Sequence, residues 1–131
     1  MLDNTKTKDI FSVSAPYANE YQGNYKRLLF VCSAGMLRSA TAAYVGSLMG
    51  YNTRNCGSED YALIPLSVNL INWAQKIYFV NEYNYLSAKD TFAYNLDILA
   101  QLRDKSVVWT IEDIYSYRSP KLIQIIKELL T

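Results

Sequence analysis

The sequence predicts an α/β fold in three layers, in which helices cover both faces of a four-stranded parallel sheet. Short apolar runs alternate along the chain with longer segments whose apolar residues recur every three or four positions, and this alternation is typical of a parallel sheet. The first run, residues 27–32, is apolar at almost every position, as expected for a strand buried on both faces. The chain of 131 residues is long enough for one core and too short for two domains.

The four predicted strands differ in composition, which indicates where they lie in the sheet. They are expected at residues 27–32, 51–56, 76–80 and 106–110. The third contains Ile-Tyr-Phe-Val, the β-branched and aromatic residues that strands prefer. The second is the most polar of the four, so we expect it at an edge of the sheet.

Four helices are predicted between and after these strands. The first ends before Gly50, a typical helix stop. The third can be capped by Asp90 or Thr91, and the last begins with Ser119-Pro120, an N-cap followed by a proline at the first helical position. The predicted helices are residues 39–49, residues 65–75, a segment from 90 or 91 to about 103, and residues 119–131.

The amino-acid composition excludes several kinds of chemistry. The chain contains no histidine, which excludes Ser-His-Asp and Cys-His catalysis as well as zinc sites that use histidine. Its net charge of +1 gives no general attraction to nucleic acid or to an acidic membrane. We therefore expect no metal, no nucleic-acid partner and no membrane partner, and any anion site must be local.

The N-terminus and the cysteines indicate the domain organisation and the compartment. Residues 1–26 show neither a helical nor an alternating pattern, so we interpret them as an N-terminal extension of a domain formed by residues 27–131. Their first part is polar and lacks the apolar core of a signal peptide, and no apolar run approaches the ~20 residues of a membrane span. Two cysteines, Cys32 and Cys56, cannot form a disulfide framework. These features favour a reducing, cytoplasmic location.

Residues 32–39, Cys-Ser-Ala-Gly-Met-Leu-Arg-Ser, form the segment with the clearest chemical signal and are called the Cys32 loop below. Backbone N–H groups in a tight loop before a helix N-terminus bind tetrahedral anions, and the same field favours a thiolate over a thiol. Arg38 adds a planar guanidinium that can bind two phosphoryl oxygens at once. The pattern predicts an oxyanion site with a nucleophilic Cys32 at its base, and the alternative is a buried structural cysteine beside an unrelated arginine.

The segment after the fourth strand, residues 110–117, is expected to supply the rest of this site. In open parallel sheets ligands bind outside the carboxyl ends of the strands, where the strand order reverses. A thiolate that attacks phosphorus expels an oxygen leaving group that needs a proton. Asp113 is our candidate for this acid, and Glu112 is the local competitor. Tyr61 and Tyr115 are expected to flank the cleft, where their rings can stack on a phenyl group of the substrate.

These motifs resemble those of the low-molecular-weight protein tyrosine phosphatases. Residues 28–39 resemble the phosphate loop of that family, which reads cysteine, five residues, arginine, then serine or threonine. Residues 110–115, Thr-Ile-Glu-Asp-Ile-Tyr, look like its acid loop, Asp-Ile-Pro-Asp-Pro-Tyr, with the second aspartate at Asp113. Residues 55–58 are similar to a Ser-Ala-Gly-Thr turn of the family, and residues 117–123 are similar to a compact bacterial and phage branch. The resemblance covers residues 27–130.

The resemblance implies a phosphatase that forms a phosphocysteine intermediate and needs no cofactor. Cys32 would be the nucleophile, Arg38 would bind the phosphoryl group, and the Ser39 hydroxyl would hydrogen-bond the thiolate and later the leaving sulfur. Asp113 would act as acid and then as base. The expected substrate is a phosphorylated protein or a small aryl phosphate, and inorganic phosphate or another oxyanion would also bind the loop. Its non-bridging oxygens would accept hydrogen bonds from the backbone N–H groups of Ser33, Ala34, Gly35, Met36, Leu37 and Arg38.

The chain departs from the family pattern at several positions. Gly35 replaces a common asparagine, and Leu37 replaces a cysteine that forms a disulfide within the loop of larger members. Thr110, Glu112 and Ile114 replace Asp, Pro and Pro in the acid loop.

Three other functions remain open from the sequence. The Cys32 loop also looks like the phosphocysteine loop of cellobiose-type IIB carriers of sugar phosphotransferase systems, although those carriers usually lack the arginine and need no acid. An arsenate reductase uses the same kind of loop but typically needs further cysteines, and this chain offers only Cys56. A catalytically inactive phosphate-binding relative is the third alternative.

Overall fold

The computed structural model describes residues 25–131, so nearly all of the predicted extension, residues 1–24, lies outside the described residues. Four parallel strands form one sheet in the order β2-β1-β3-β4. They are β1 (Arg27–Cys32), β2 (Asn52–Gly57), β3 (Lys76–Phe79) and β4 (Ser106–Val108). Because β2 and β3 flank β1 on opposite sides, the strand order reverses at β1. The predicted parallel sheet is confirmed.

Helices cover both faces of this sheet, as the sequence predicted. The helices are α1 (Arg38–Leu48), α2 (Val68–Trp73), α3 (Glu82–Thr91), α4 (Leu96–Lys105) and α5 (Pro120–Leu130). Helices α1 and α5 pack on one face, and α2, α3 and α4 contribute to the core on the other. No helix within residues 25–131 has the length and apolar composition needed to cross a membrane.

Strand β1 lies between the two cores, and this position explains its continuous apolar sequence. Leu29 and Val31 belong to the core under α2, α3 and α4. Leu28, Phe30 and Cys32 point to the opposite face and belong to the core under α1 and α5. All five side chains are buried, since alternate residues of a strand face opposite sides of a sheet. Cys32 therefore ends a rigid strand, which fixes its position.

Strand β2 lies at the edge of the sheet, as its polar composition predicted. All six of its residues are nevertheless buried. The Thr53 hydroxyl donates to the Ala43 carbonyl of α1 at 2.8 Å, and the Arg54 guanidinium lies 4.2 Å from the centroid of the Trp73 ring. These contacts let polar side chains occupy buried positions, because buried polar groups need partners.

The predicted start of the third helix, at Asp90 or Thr91, is wrong, whereas its end near residue 103 is close to the observed one. Helix α3 ends at Thr91, and α4 begins after Asn95, whose side chain accepts from the Ile98 N–H at 3.1 Å. Helix α3 was missed because it buries only Asn84 and Ala88 and so shows no apolar stripe. Helix α2 is also shorter than the predicted segment 65–75, since Ser67 caps its first turn. The last helix begins as predicted, with the Ser119 hydroxyl accepting from the Leu122 N–H.

Candidate active site

Cys32 lies at the carboxyl end of β1 and is only 3% exposed. The Gly35 N–H donates to its Sγ at 3.2 Å, and the Ser39 Oγ lies 3.0 Å from the same sulfur. A hydrogen bond donated to sulfur stabilises the thiolate more than the thiol. The Cys32 loop thus turns back on itself so that a backbone amide and a hydroxyl both contact the predicted nucleophile.

Gly35 allows this turn for two reasons. Its φ of 75° is in the left-handed region, which glycine adopts at low cost. A Cβ at this position would lie 2.9 Å from the carbonyl carbon of Cys56 and 2.9 Å from the nitrogen of Gly57, so the loop packs directly on the end of β2. The Asn55 side chain donates to the Gly35 carbonyl at 2.7 Å and fixes the turn from below.

The segment after β2 binds the carbonyl groups of the Cys32 loop. The Ser58 N–H donates to the Cys32 carbonyl at 2.8 Å, the Glu59 N–H to Ser33 at 3.2 Å, and the Leu63 N–H to Ala34 at 3.2 Å. The C=O and N–H of one peptide unit point in opposite directions. The N–H groups of Ser33, Ala34 and Gly35 share peptide units with these three carbonyls and therefore point away from residues 58–63. The Gly35 N–H, which points at the Cys32 sulfur, follows this pattern.

Arg38 joins the Cys32 loop to the segment after β4. Its side chain is 8% exposed, its Nη1 donates to the Ile111 carbonyl at 2.9 Å, and its Nε lies 3.5 Å from an Asp113 carboxylate oxygen. The Asp113 side chain is 67% exposed, so its carboxylate is open to solvent. An arginine and a carboxylate are therefore adjacent at the carboxyl edge of the sheet, at the point where the strand order reverses.

A pocket of about 260 Å³ opens above Cys32. Seven of its lining residues were predicted to bind phosphate or to react, and the eighth is Tyr61, whose exposed ring stands at the mouth. The lining residues are Cys32, Ser33, Ala34, Met36, Leu37, Arg38, Tyr61 and Asp113. The pocket combines an apolar lining with a few polar groups, the combination typical of small-molecule sites.

Comparison with solved structures finds the same architecture in known phosphatases, whereas no family model and no curated protein matches the sequence. Vibrio vulnificus Wzb in complex with benzylphosphonate is 16% identical, with a TM-score of 0.57, over 80% of this chain and 94% of that one. YwlE arginine phosphatase from Geobacillus stearothermophilus is 16% identical, with a TM-score of 0.54, over 80% and 85%. The low-molecular-weight protein tyrosine phosphatase from Campylobacter jejuni is 12% identical, with a TM-score of 0.55, over 80% and 92%. The chain has the fold of the low-molecular-weight protein tyrosine phosphatases.

Two of the remaining predicted residues, Glu112 and Tyr115, do not line the pocket. Glu112 is exposed and does not line the pocket, in contrast to its neighbour Asp113. Tyr115 is half-buried and packs against the core under α1 and α5. Of the two tyrosines expected to flank the cleft, Tyr61 is thus the one that lines it.

Asn84 of α3 is a site residue that the sequence reasoning missed. It is 1% exposed, and its side-chain amide donates to the hydroxyl of Ser33 at 3.0 Å and to that of Ser58 at 3.1 Å. It therefore connects the Cys32 loop to the segment after β2. The sequence offered one signal for Asn84, its position soon after β3. Ligands bind outside the carboxyl ends of the strands in a parallel sheet, and this applies to β3 as well as to β1 and β4.

Cys56 lies on the other face of the sheet from Cys32. It pairs with Val31 in the sheet register and belongs to the core under α2, α3 and α4, whereas Cys32 belongs to the opposite core. Burial raises the pKa of the Cys56 thiol well above its ordinary value, and the nearby Cys32 raises it further. Both cysteines are free thiols, and the sheet itself separates them.

Proposed function

We propose that this protein is a phosphatase that hydrolyses phosphotyrosine or other aryl phosphate monoesters through a phosphocysteine intermediate. One observation carries the proposal: Cys32, Arg38 and Asp113 line a single pocket, although they come from two segments that are far apart in the sequence. The three supply a nucleophile, a cation for the phosphoryl oxygens and a proton donor. The solved structures with this fold include tyrosine phosphatases, which supports a phosphatase activity.

In the first step the Cys32 thiolate attacks the phosphorus atom of the bound ester. A bond forms between sulfur and phosphorus, the bond between phosphorus and the ester oxygen breaks, and the leaving oxygen takes a proton from the Asp113 carboxyl. The Arg38 guanidinium and the loop amides neutralise the non-bridging oxygens as charge develops on them. The Gly35 N–H and the Ser39 hydroxyl, which contact the sulfur, stabilise the thiolate before the attack.

In the second step water hydrolyses the phosphocysteine. The Asp113 carboxylate accepts a proton from the water, the water oxygen bonds to phosphorus, and the bond between phosphorus and sulfur breaks to restore the Cys32 thiolate. Inorganic phosphate then leaves the pocket. The exposure of Asp113 suits a group that must bind and release a proton in every cycle.

The lining of the pocket mouth favours an aryl group. Tyr61, Met36 and Leu37 are all exposed and together give the pocket an aromatic and aliphatic rim. A flat ring attached to the phosphate can contact these side chains, whereas a short alkyl phosphate would reach few of them. Because some solved structures with this fold are arginine phosphatases, phosphoarginine is the natural competing substrate for the test.

Two of the other functions fit the site less well. A phosphocysteine carrier must keep its intermediate until the acceptor arrives, but a carboxylate that lines the same pocket as Cys32, such as Asp113, would activate water against it. An arsenate reductase needs a second thiol to resolve its intermediate, and Cys56 lies on the opposite face of the sheet.

The test compares the wild-type protein with Cys32→Ser on p-nitrophenyl phosphate, a phosphotyrosine peptide, a phosphoserine peptide and phosphoarginine. We expect hydrolysis of the aryl phosphates by the wild type and none by Cys32→Ser. Undiminished activity in Cys32→Ser would remove the mechanism, and a preference for phosphoarginine would make the aryl assignment wrong. A wild-type protein that binds inorganic phosphate but hydrolyses no ester would be an inactive relative.

The acid is tested with two neighbouring carboxylates that are both exposed. For phenyl phosphate, whose leaving group needs a proton, Asp113→Asn should lower kcat by about 10²–10⁴, the usual contribution of a general acid. Glu112→Gln is the matched control and should change kcat little, because Glu112 does not line the pocket. The reverse order of effects would move the role to Glu112.

A further inference from the structure

Arg118 has an unusual backbone conformation at the end of the segment that carries Asp113. Its φ is 57°, and it is the one non-glycine residue within 25–131 with a positive φ. A residue with a Cβ is strained in this region and stays there only where its surroundings hold it. The contacts of Arg118 show what holds it.

Two side chains of α1 contact Arg118. The Arg118 N–H donates to the hydroxyl of the fully buried Thr41 at 2.9 Å. Its guanidinium carbon lies 3.7 Å from the centroid of the Tyr44 ring and 4.9 Å from that of Tyr117, which is the geometry of a cation–π contact. Thr41 and Tyr44 are three residues apart and so lie on the same side of α1. The backbone and the side chain of Arg118 are therefore both bound to this one helix.

The other end of the Asp113 segment, residues 111–118, is bound to the same helix. Ile111 is 2% exposed, its N–H donates to the Val80 carbonyl at 2.9 Å, and its own carbonyl accepts from Arg38, the first residue of α1. Between the two ends, Glu112, Asp113 and Ile114 are exposed. The position of Asp113 thus depends on the two ends of its segment, and α1 contacts both of them.

We propose that Arg118 is a positioning residue for Asp113, an inference that rests on the proposed phosphatase function. By fixing the far end of the Asp113 segment to α1, Arg118 holds the carboxyl over the Cys32 loop, which leads into the same helix. The phosphate site and the proton donor then share one rigid support. Arg118 itself does not line the pocket, so it acts on the reaction through Asp113 alone.

The experiment compares esters whose leaving groups depend differently on the acid. Phenolate is a poor leaving group and needs the proton from Asp113, whereas p-nitrophenolate leaves readily without it. In Arg118→Met, which keeps the aliphatic stem and removes the guanidinium, we expect kcat/KM to fall by about tenfold for phenyl phosphate and by less than about twofold for p-nitrophenyl phosphate. Arg118→Lys should restore part of the loss, because an ammonium group can also lie over the Tyr44 ring.

Controls separate positioning from a general structural effect. Tyr44→Leu removes the ring that Arg118 contacts and should reproduce the dependence on the leaving group, while Arg103→Ala, which removes an exposed arginine of α4, should change neither ester. Equal losses for the two esters, or no loss for either, would overturn the proposal.

A second measurement does not depend on turnover. Amide hydrogen exchange of residues 112–117 should be faster in folded Arg118→Met than in the wild type, because one end of the segment is released. Unchanged exchange would overturn the anchoring by Arg118 even if activity changed. If the wild type hydrolysed neither ester, the proposed function would fail, and the exchange rates would still decide whether Arg118 anchors the segment.

Discussion

Substitution of Gly57 by alanine tests whether close packing between β2 and the Cys32 loop is needed for the site. Gly57 is the last residue of β2. An added Cβ would lie 2.4 Å from the Ala62 Cβ, 2.4 Å from the Ser33 carbonyl oxygen and 2.8 Å from the Ala34 carbonyl carbon. Two of these atoms belong to the backbone of the Cys32 loop and the third is a Cβ, so no flexible side chain can move aside.

The size of the effect follows from these distances. Carbon atoms pack at roughly 3.5 Å or more, so the loop must move by about 1 Å to accept the methyl group. Overpacking of this kind typically costs 1–3 kcal/mol, and rigid neighbours on two sides indicate the upper end, about 3 kcal/mol. For a domain of this length this lowers Tm by about 12 °C, at about 4 °C per kcal/mol. A displacement of about 1 Å at the reacting group also lowers turnover by about 10²-fold.

The assay pairs thermal unfolding with hydrolysis of p-nitrophenyl phosphate, and Gly50→Ala is the matched control. Gly50 has a φ of 97°, and no atom lies within 4 Å of its added Cβ, so alanine there carries only the backbone strain, about 1 kcal/mol. We expect Gly50→Ala to be slightly less stable and fully active. If Gly57→Ala kept wild-type Tm and turnover, the reasoning about this contact would be refuted.

Three further predictions concern other parts of the molecule. Asn84→Ala removes hydrogen bonds to two hydroxyls. It should cost about 1–3 kcal/mol of stability and weaken the binding of inorganic phosphate, and calorimetry measures both effects. Unchanged phosphate affinity would contradict the role of Asn84 in the loop. Iodoacetamide at pH 7 should modify Cys32 first, because burial raises the pKa of Cys56, and peptide mapping that found the first adduct on Cys56 would oppose this. Asn95→Ala removes the cap of α4 and should cost about 1 kcal/mol in urea unfolding without changing turnover, and a loss of turnover would show that α4 influences the site.

The parts of the fold that the sequence predicts are those with strong local signals. Residues 27–32 predict β1 because every side chain after Arg27 is buried and apolar. The Ser119-Pro120 pair predicts the start of α5 because an N-cap and a first-turn proline act within a few residues of each other. The Cys32 loop is predicted for the same reason: its small residues, Arg38 and Ser39 all follow Cys32 within seven positions.

The parts that the sequence does not predict depend on contacts between distant residues. Helix α3 buries the polar Asn84, whose partners Ser33 and Ser58 lie far away in the sequence, so no periodic pattern marks it. The left-handed conformation of Arg118 depends on a hydroxyl 77 positions earlier. Tyr61 and Tyr115 look alike in the sequence, and only the packing of Tyr115 against a core distinguishes them.

The separation of the two thiols by the sheet has a consequence for oxidation. Peroxide that converts Cys32 to a sulfenic acid finds no partner within the chain, because the one other cysteine faces the opposite core and an intramolecular disulfide would require the strands to come apart. An external thiol such as glutathione can reduce the oxidised sulfur, whereas further peroxide converts it to the irreversible sulfinic acid. Recovery from oxidative stress then depends on the thiol pool around the protein rather than on the protein itself.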